Sequence, residues 1–192
     1  MEKMNELISK WNNHYKNTSI TTPVAAVLHE NSAILPKKGI ALDIGCGTGA
    51  NSYFLANLGM EVHAWDFSEV AIQLISSRLK GRENINIKNL NITKGSFANV
   101  NFDLVLCCHY LDRKITDEIY NATKIGGLII YQTFTEEKKR VDGPSNPDYL
   151  LKYKEVFSLI KDCRVLAYRE QPSRRFGDSS MAGKAYIIGQ KK

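Results

Sequence analysis

Apolar residues gather in seven short runs that read as strands: GIALDI (39–44), EVHAW (61–65), INIKNL (85–90), FDLVLCC (102–108), GLIIYQTF (127–134), RVLAYRE (164–170) and KAYIIGQ (184–190). Between the first two, NSYFLANLG sets Tyr53, Phe54, Ala56 and Leu58 at roughly helical spacing and then stops on a glycine. Between the second and third, SEVAIQLISSRLKG repeats the pattern, with Ser68 as N-cap and Gly81 as C-cap. Strand, helix, strand in this rhythm predicts an α/β fold, a doubly wound and mostly parallel sheet with helices on both faces. The rhythm breaks at the end. REQPSRRFGDSSMAGK is polar and rich in Gly, Pro and Ser, so a long loop there lets the last strand pair antiparallel with its neighbour. The amphipathic opening MEKMNELISKWNNHY predicts a helical cover over residues 1–35, ahead of a core over 39–134 and a substrate-side lid with a closing hairpin over 135–192. A single domain is expected for 192 residues.

Composition narrows the class. Hydrophobic residues at 43% and charged residues at 24% belong to a globular chain and not to a disordered one. The net charge of +6 raises the question of an acidic partner, but its lysines and arginines are interleaved with acids, as in KITDEIYNATK and TEEKKRVD, and read as solvated faces. Nucleic acid is therefore not the expected partner. No apolar signal core opens the chain, and no run of about eighteen uncharged apolar residues occurs, so a cytoplasmic protein with no membrane insertion is expected. Cys46, Cys107, Cys108 and Cys163 lack metal-type spacing and read as reduced thiols, with no metal. Nothing in the pattern specifies an oligomeric state.

The stretch ALDIGCGTGANSYFLANLGMEVHAWDFS (41–68) carries the chemistry. Gly45, Cys46, Gly47, Thr48 and Gly49 form a strand-to-helix turn where positive φ is allowed and a ligand can lie against the backbone. In an open parallel sheet this turn is where nucleotides bind. A helix starting at Ala50 or Asn51 points backbone N–H groups into the same crevice, which puts Asn51 among the residues bordering the ligand. Asp66, 21 residues beyond Gly45, ends the second strand, where a carboxylate accepts hydrogen bonds from both hydroxyls of a ribose. Two ligands fit. Gly45, Gly47 and Ala50 satisfy the G-x-G-x-x-G/A pattern of nicotinamide dinucleotide proteins. Asp43 at the end of the first strand, able to accept from an amino group, tilts the balance the other way, as do the third glycine and the small size of the chain.

LDIGCGTG, VHAWDFS, FDLVLCC and IGGLIIYQTF, in this order and spacing over residues 39–134, resemble the class I S-adenosylmethionine-dependent methyltransferases. GANSYFLANLGMEVHAWDFS is similar, more narrowly, to the tellurite-resistance methyltransferase group and its small relatives, and GPSNPDYLLKYKEVF and RVLAYRE extend the likeness through most of the chain. The resemblance implies a Rossmann-like fold of seven strands, S-adenosyl-L-methionine as cofactor, S-adenosyl-L-homocysteine as product, and a small-molecule methyl acceptor such as a tellurite-like oxyanion or a thiol. It also implies that Gly45, Gly47 and Gly49, with Cys46 among them, make room for the methionine part and the ribose, and that Asp43 holds the amino group. By the same resemblance Asp66 takes the ribose hydroxyls, Phe67 lies beside the adenine, Asn91 and Ile92 contact it, and Cys107 and Cys108 face the methyl-transfer centre. The opening helix, with Trp11 and Tyr15 at i and i+4, resembles the family's opening segment, which implies a cover over the cofactor with an aromatic wall beside the sulfonium; ordinary packing of an i, i+4 pair is the alternative. Asn91 stands where the family has Asp, and Ala50 where the tellurite group has Arg.

Alignment in a dry pocket can supply about 7–11 kcal/mol of barrier lowering, so a methyltransferase need not carry a dedicated base. If a base acts, CCHYLDR is the place for it. His109 near neutral pH can take a proton from a thiol, amine or hydroxyl, with Tyr110 beside it; alternatively both start a helix or pack beneath it. Cys107 and Cys108 point to opposite faces of a strand and cannot chelate one soft atom. Tyr149 lies in a Pro- and Gly-containing loop that reads as a lid or a plain connection, and Arg174 and Arg175 are placed to hold an oxyanion substrate or to be solvated charge. Two alternatives stay open: a nucleic-acid methyltransferase, against which CCHY speaks because base-amino enzymes of the family resemble one another in Asn/Asp-Pro-Pro-Tyr/Phe there, and a non-catalytic nucleotide- or NAD-binding module.

Overall fold

The computed structural model describes residues 2–17, 22–78, 81–97, 100–139, 143–176 and 179–192. Its strands are β1 (Ile40–Ile44), β2 (Glu61–Asp66), β3 (Ile85–Asn89), β4 (Phe102–Cys108), β5 (Thr123–Phe134), β6 (Cys163–Gln171) and β7 (Lys184–Lys191). They form one sheet in the order β3-β2-β1-β4-β5-β7-β6. Strands β1 to β5 pair in parallel, and β7 slots antiparallel between β5 and β6. The helices are α1 (Glu2–Lys16), α2 (Ala26–Glu30), α3 (Ala50–Asn57), α4 (Glu69–Arg78), α5 (Thr116–Ala122) and α6 (Ser173–Phe176).

The strands read as unbroken apolar runs because both faces of the sheet are covered. Leu104 and Leu106 of β4 pack on one face with Leu28, Leu55 and Ile75, while Val105 and Cys107 pack on the other with Ile115, Ile119 and Leu159. Ser68 caps α4 as expected, its Oγ accepting from the Ala71 N–H at 3.2 Å, and the same hydroxyl donates to Asn12 Oδ1 of α1 at 2.6 Å. That second bond docks α1 over the crevice at the carboxyl ends of the strands. Strand order reverses between β1 and β4, which is where an open α/β sheet leaves room for a ligand.

Two local readings change. β5 begins at Thr123, ahead of the glycines, because a register shift between Phe102 and Leu104 admits the extra residues. His109 and Tyr110 do not start a helix: His109 adopts φ 56, and the chain turns helical only at a 3₁₀ turn over Arg113–Ile115, capped by Asp112 Oδ1, and then α5. The segment Glu155–Ile160 is a 3₁₀ helix. Among the described residues no helix is long and apolar enough to cross a membrane. No group of His, Cys, Asp and Glu among them is arranged to hold a metal.

Candidate functional site

The turn between β1 and α3 has Gly45, Gly47 and Gly49 at φ 66, 52 and 80, a conformation that side chains resist. What lies beside each glycine shows which neighbours the missing side chains admit. An ideal Cβ on Gly45 would stand 3.0 Å from the Tyr110 ring, and one on Gly47 would stand 2.9 Å from the Tyr15 hydroxyl. One on Gly49 would stand 2.4 Å from Ile75 of α4. The first two glycines thus let aromatic walls close on the turn from two sides. The third lets Ile75 of α4 pack against the turn. Trp11 stacks on Tyr15 with ring centroids 5.8 Å apart, so α1 brings both predicted aromatics to the site.

The turn is internally satisfied. Gly45 and Cys46 N–H groups donate to Trp65 O at 2.9 and 3.0 Å, Gly49 N–H to Cys46 O at 2.9 Å, and Gly47 N–H to Asp66 Oδ2 at 2.9 Å. The start of α3 is also engaged: the Thr22 and Thr48 hydroxyls lie 2.6 Å apart, and Asn51 Oδ1 accepts from the Ala25 N–H at 2.9 Å. Asn51 therefore pins the chain ahead of α2 to the turn.

Two carboxylates converge here. Asp43 is 1% exposed and accepts from Ser52 Oγ at 2.6 Å; burial raises its pKa to about 7, with Ser52 opposing and Asp66 adding to the rise. Asp66 is 3% exposed, and its oxygens accept from the Gly47 and Ser68 N–H groups at 2.9 and 2.8 Å; burial raises its pKa against those bonds. Each oxygen of Asp66 keeps acceptor capacity for a further donor. Burial, and then Asp66, also push the Tyr15 hydroxyl up. Phe67 is half-buried beside Asp66, Ile92 is packed into the core with Trp65 and Phe97, and Asn91 is exposed.

At the end of β4 the two cysteines leave the site. Cys107 and Cys108 are 0% and 6% exposed and lie in the cores on opposite faces, their thiols raised by burial, so they underlie the crevice and present no nucleophile to it. His109 donates its backbone N–H to Gln132 O at 2.8 Å and sets its ring 5.1 Å from Phe134. The surrounding protein, and then the Lys184 ammonium, hold its pKa down at about 4, although one side of the ring opens to solvent. The ring is neutral at pH 7, the form that can accept a hydrogen bond or a proton, and its exposed side is open to an acceptor. Tyr110 closes on Gly45, its hydroxyl pushed up by burial and then by Asp112.

Sequence reasoning missed what holds the outer wall. Arg113 donates to Asp148 O at 2.5 Å, to Leu150 O at 2.9 Å, and to both carboxylate oxygens of Glu155 at 2.6 and 3.0 Å. This fork fixes the loop carrying Tyr149, whose hydroxyl is close enough to Tyr110 to raise its pKa. An arginine three residues after a tyrosine carries no local signal of such a role. Arg174 is exposed at the start of α6, away from the glycine turn; Arg175 lies in the same helix and its side chain is outside the described residues.

Residues 41–127 match the family described as methyltransferase domain. The probable S-adenosyl-L-methionine-dependent methyltransferase TehB of Haemophilus influenzae (strain 10810) is 30% identical over 140 residues, 67% of this chain and 47% of its own. The crystal structure of TehB from Haemophilus influenzae is similar with a TM-score of 0.72 at 21% identity, covering 95% of this chain and 67% of that one. The structure of the cyclase SpnF is similar at 0.68 and 12% identity over 98% and 94%, a reminder that the fold alone names no reaction. The chain spans about half the length of the curated relatives it matches.

Sheet order, glycine turn and acidic strand ends define a class I nucleotide-cofactor fold. Within that class, the chain belongs to the S-adenosylmethionine-dependent methyltransferases, whose cofactor is S-adenosyl-L-methionine. The residues present fit that cofactor: the two buried carboxylates meet no side-chain cation among the described residues, and the turn offers acceptors where the cofactor has an amino group and a ribose diol.

Proposed function

We propose that this protein transfers a methyl group from S-adenosyl-L-methionine to a small-molecule acceptor, a thiol or an oxyanion of the tellurite kind. One observation carries the reading: Asp43 and Asp66 are buried at the glycine turn without a side-chain cation beside them among the described residues, and a cationic ligand compensates them. A dinucleotide would bring its pyrophosphate close to a buried carboxylate that repels it. In this assignment Asp43 holds the amino group, Asp66 the ribose hydroxyls, and Phe67 the adenine edge, while Tyr15 and Trp11 cover the crevice and Tyr110 walls it on the other side.

When bound, the cofactor supplies an electrophilic methyl group already activated by its sulfonium. The chain's own contribution is placement. Tyr110 and Tyr15 exclude water from the turn, and Arg113 holds the Tyr149 loop against Tyr110, so the acceptor meets rigid walls. His109 acts as a neutral imidazole that accepts a hydrogen bond from the acceptor's N–H, O–H or S–H, with the proton passing on to water.

Calorimetric titration of S-adenosylmethionine, S-adenosylhomocysteine and NAD into the wild type and Asp66→Ala tests this. Micromolar binding of the two sulfur compounds, weakened about tenfold or more in the variant, with no NAD binding, is expected. NAD binding, or no binding of any of the three, overturns the reading.

A further inference from the structure

Asp66 holds two segments at once. Its Oδ2 accepts from the Gly47 N–H at 2.9 Å and its Oδ1 from the Ser68 N–H at 2.8 Å. Helix α1 docks on those same two residues. Asn12 Oδ1 accepts from Ser68 Oγ at 2.6 Å, and the Tyr15 hydroxyl stands 2.9 Å from where a Cβ on Gly47 would be. Trp11 stacks on Tyr15 from the preceding turn of the helix, while Ser68 Oγ also accepts from the Ala71 N–H at 3.2 Å. The carboxylate assigned to the ligand and the footing of α1 are therefore one hydrogen-bonded unit.

The helix sits shallowly on the body of the protein. Leu7, Ile8, Trp11, Asn12 and Tyr15 are partly buried, and none of its described side chains is fully buried. A helix of 15 residues is marginal by itself in water, so α1 keeps its place through these contacts and opens at a lower free energy than the sheet. A ligand on Asp66 changes that balance. Asp66 and Asp43 both lie near enough to the Tyr15 hydroxyl to act on it, so a diol on Asp66 and an amino group on Asp43 meet the Tyr15 side chain only when α1 is docked. A ligand that touches one state of an element and not the other shifts the population toward the state it touches.

We propose that Asn12 and Ser68 form a latch that holds α1 over the cofactor, so that a ligand on Asp66 and the docking of α1 strengthen each other and the ligand leaves only when the latch opens. Asn12 is a positioning residue: it acts through Ser68 and the seat of Tyr15, not on the reacting atoms. The inference rests on the assignment of Asp66 to the ribose and deepens it. By reciprocity, the factor by which the ligand favours docking is the factor by which docking favours the ligand.

The test uses the whole chain. Hydrogen exchange of the α1 amides over residues 6–16 is followed with and without S-adenosylhomocysteine, whose dissociation is timed by surface plasmon resonance. The compound is expected to slow exchange along α1 about tenfold or more. Asn12→Ala removes the acceptor of one neutral hydrogen bond, and is expected to speed both α1 exchange in the complex and dissociation about fivefold. Alanine is the better helix former, so faster exchange in that variant reports lost docking and not a weaker helix. The melting temperature stays unchanged, because α1 opens before the sheet unfolds. Ser68→Ala has the same two effects and, having lost the cap, also speeds exchange at Ala71. Exchange in α1 that ignores bound S-adenosylhomocysteine, or dissociation from Asn12→Ala as slow as from the wild type, overturns the proposal. Failure of S-adenosylhomocysteine to bind at all overturns the Asp66 assignment, and the methyl-transfer reading with it.

Discussion

At the scale of single residues, the site is decided by which groups are kept charged. Asp43 is protonated about half the time near pH 7 because burial outweighs its bond from Ser52. A cationic ligand requires the ionised form, so its binding at pH 6 releases close to one proton, about the most a single site can give. Calorimetry in buffers of differing ionisation enthalpy reads this number directly, and Asp43→Asn is expected to lower it, leaving only what Asp66, also raised by burial, contributes. Gly47 makes a second test. At φ 52, with the Tyr15 hydroxyl 2.9 Å from where a methyl would sit, Gly47→Ala costs about 1–2 kcal/mol of stability and lifts α1 from the turn. Chemical denaturation measures the first effect and Trp11 fluorescence the second.

At the scale of elements, the decisive contacts are those that tie segments far apart in sequence. Arg113 fastens the loop around Asp148 and Leu150 to the start of α5, with Glu155 completing the fork. Because the guanidinium is partly exposed, Arg113→Gln costs only about 1 kcal/mol in global stability. Hydrogen exchange at residues 147–155 is expected to rise well beyond what that loss implies, while cofactor affinity holds; protection unchanged in this segment would show that the wall stands without the arginine. The strand runs, the helix after each, and the Ser68 cap were legible in the sequence because each rests on neighbours within a turn or two. The 3₁₀ turn at Arg113, the left-handed His109 and the early start of β5 were not, since each follows from a register or packing partner elsewhere in the chain.

At the scale of the whole molecule, two groups in the crevice oppose one another as pH changes. Asp43, raised from the usual carboxylate range to about 7, binds a proton in the folded state that the unfolded chain has lost; its contribution is full below about pH 4 and fades as pH climbs to 7. His109, lowered to about 4, does the reverse: the unfolded chain binds the proton first, so stability contributed by His109 fades as pH falls from about 6.5 to 4. The histidine effect is the smaller, its ring being open to solvent on one side. Between pH 4 and 7 the wild type is therefore expected to lose stability gently as pH rises, and Asp43→Asn to gain it. Urea midpoints across that range check both signs. Below pH 4 the wild type loses a little further stability as Glu155, held down by Arg113, is protonated and gives up that partner.

The sequence by itself determined the sheet, its antiparallel close, the glycine turn and the acidic strand ends, because hydrophobic period and backbone permissiveness are local properties of a chain. Only the tertiary structure decided what the turn touches. Tyr15 and Tyr110 reach Gly47 and Gly45 from segments well before and well after the turn, Ile75 packs against Gly49, and Cys107 and Cys108 sink into two cores because strand alternation sends them there. Asn12 of α1 reaches Ser68 ahead of α4 across 56 positions of sequence. No spacing along the chain encodes that meeting, since the free energy holding it comes from the packing of the whole sheet.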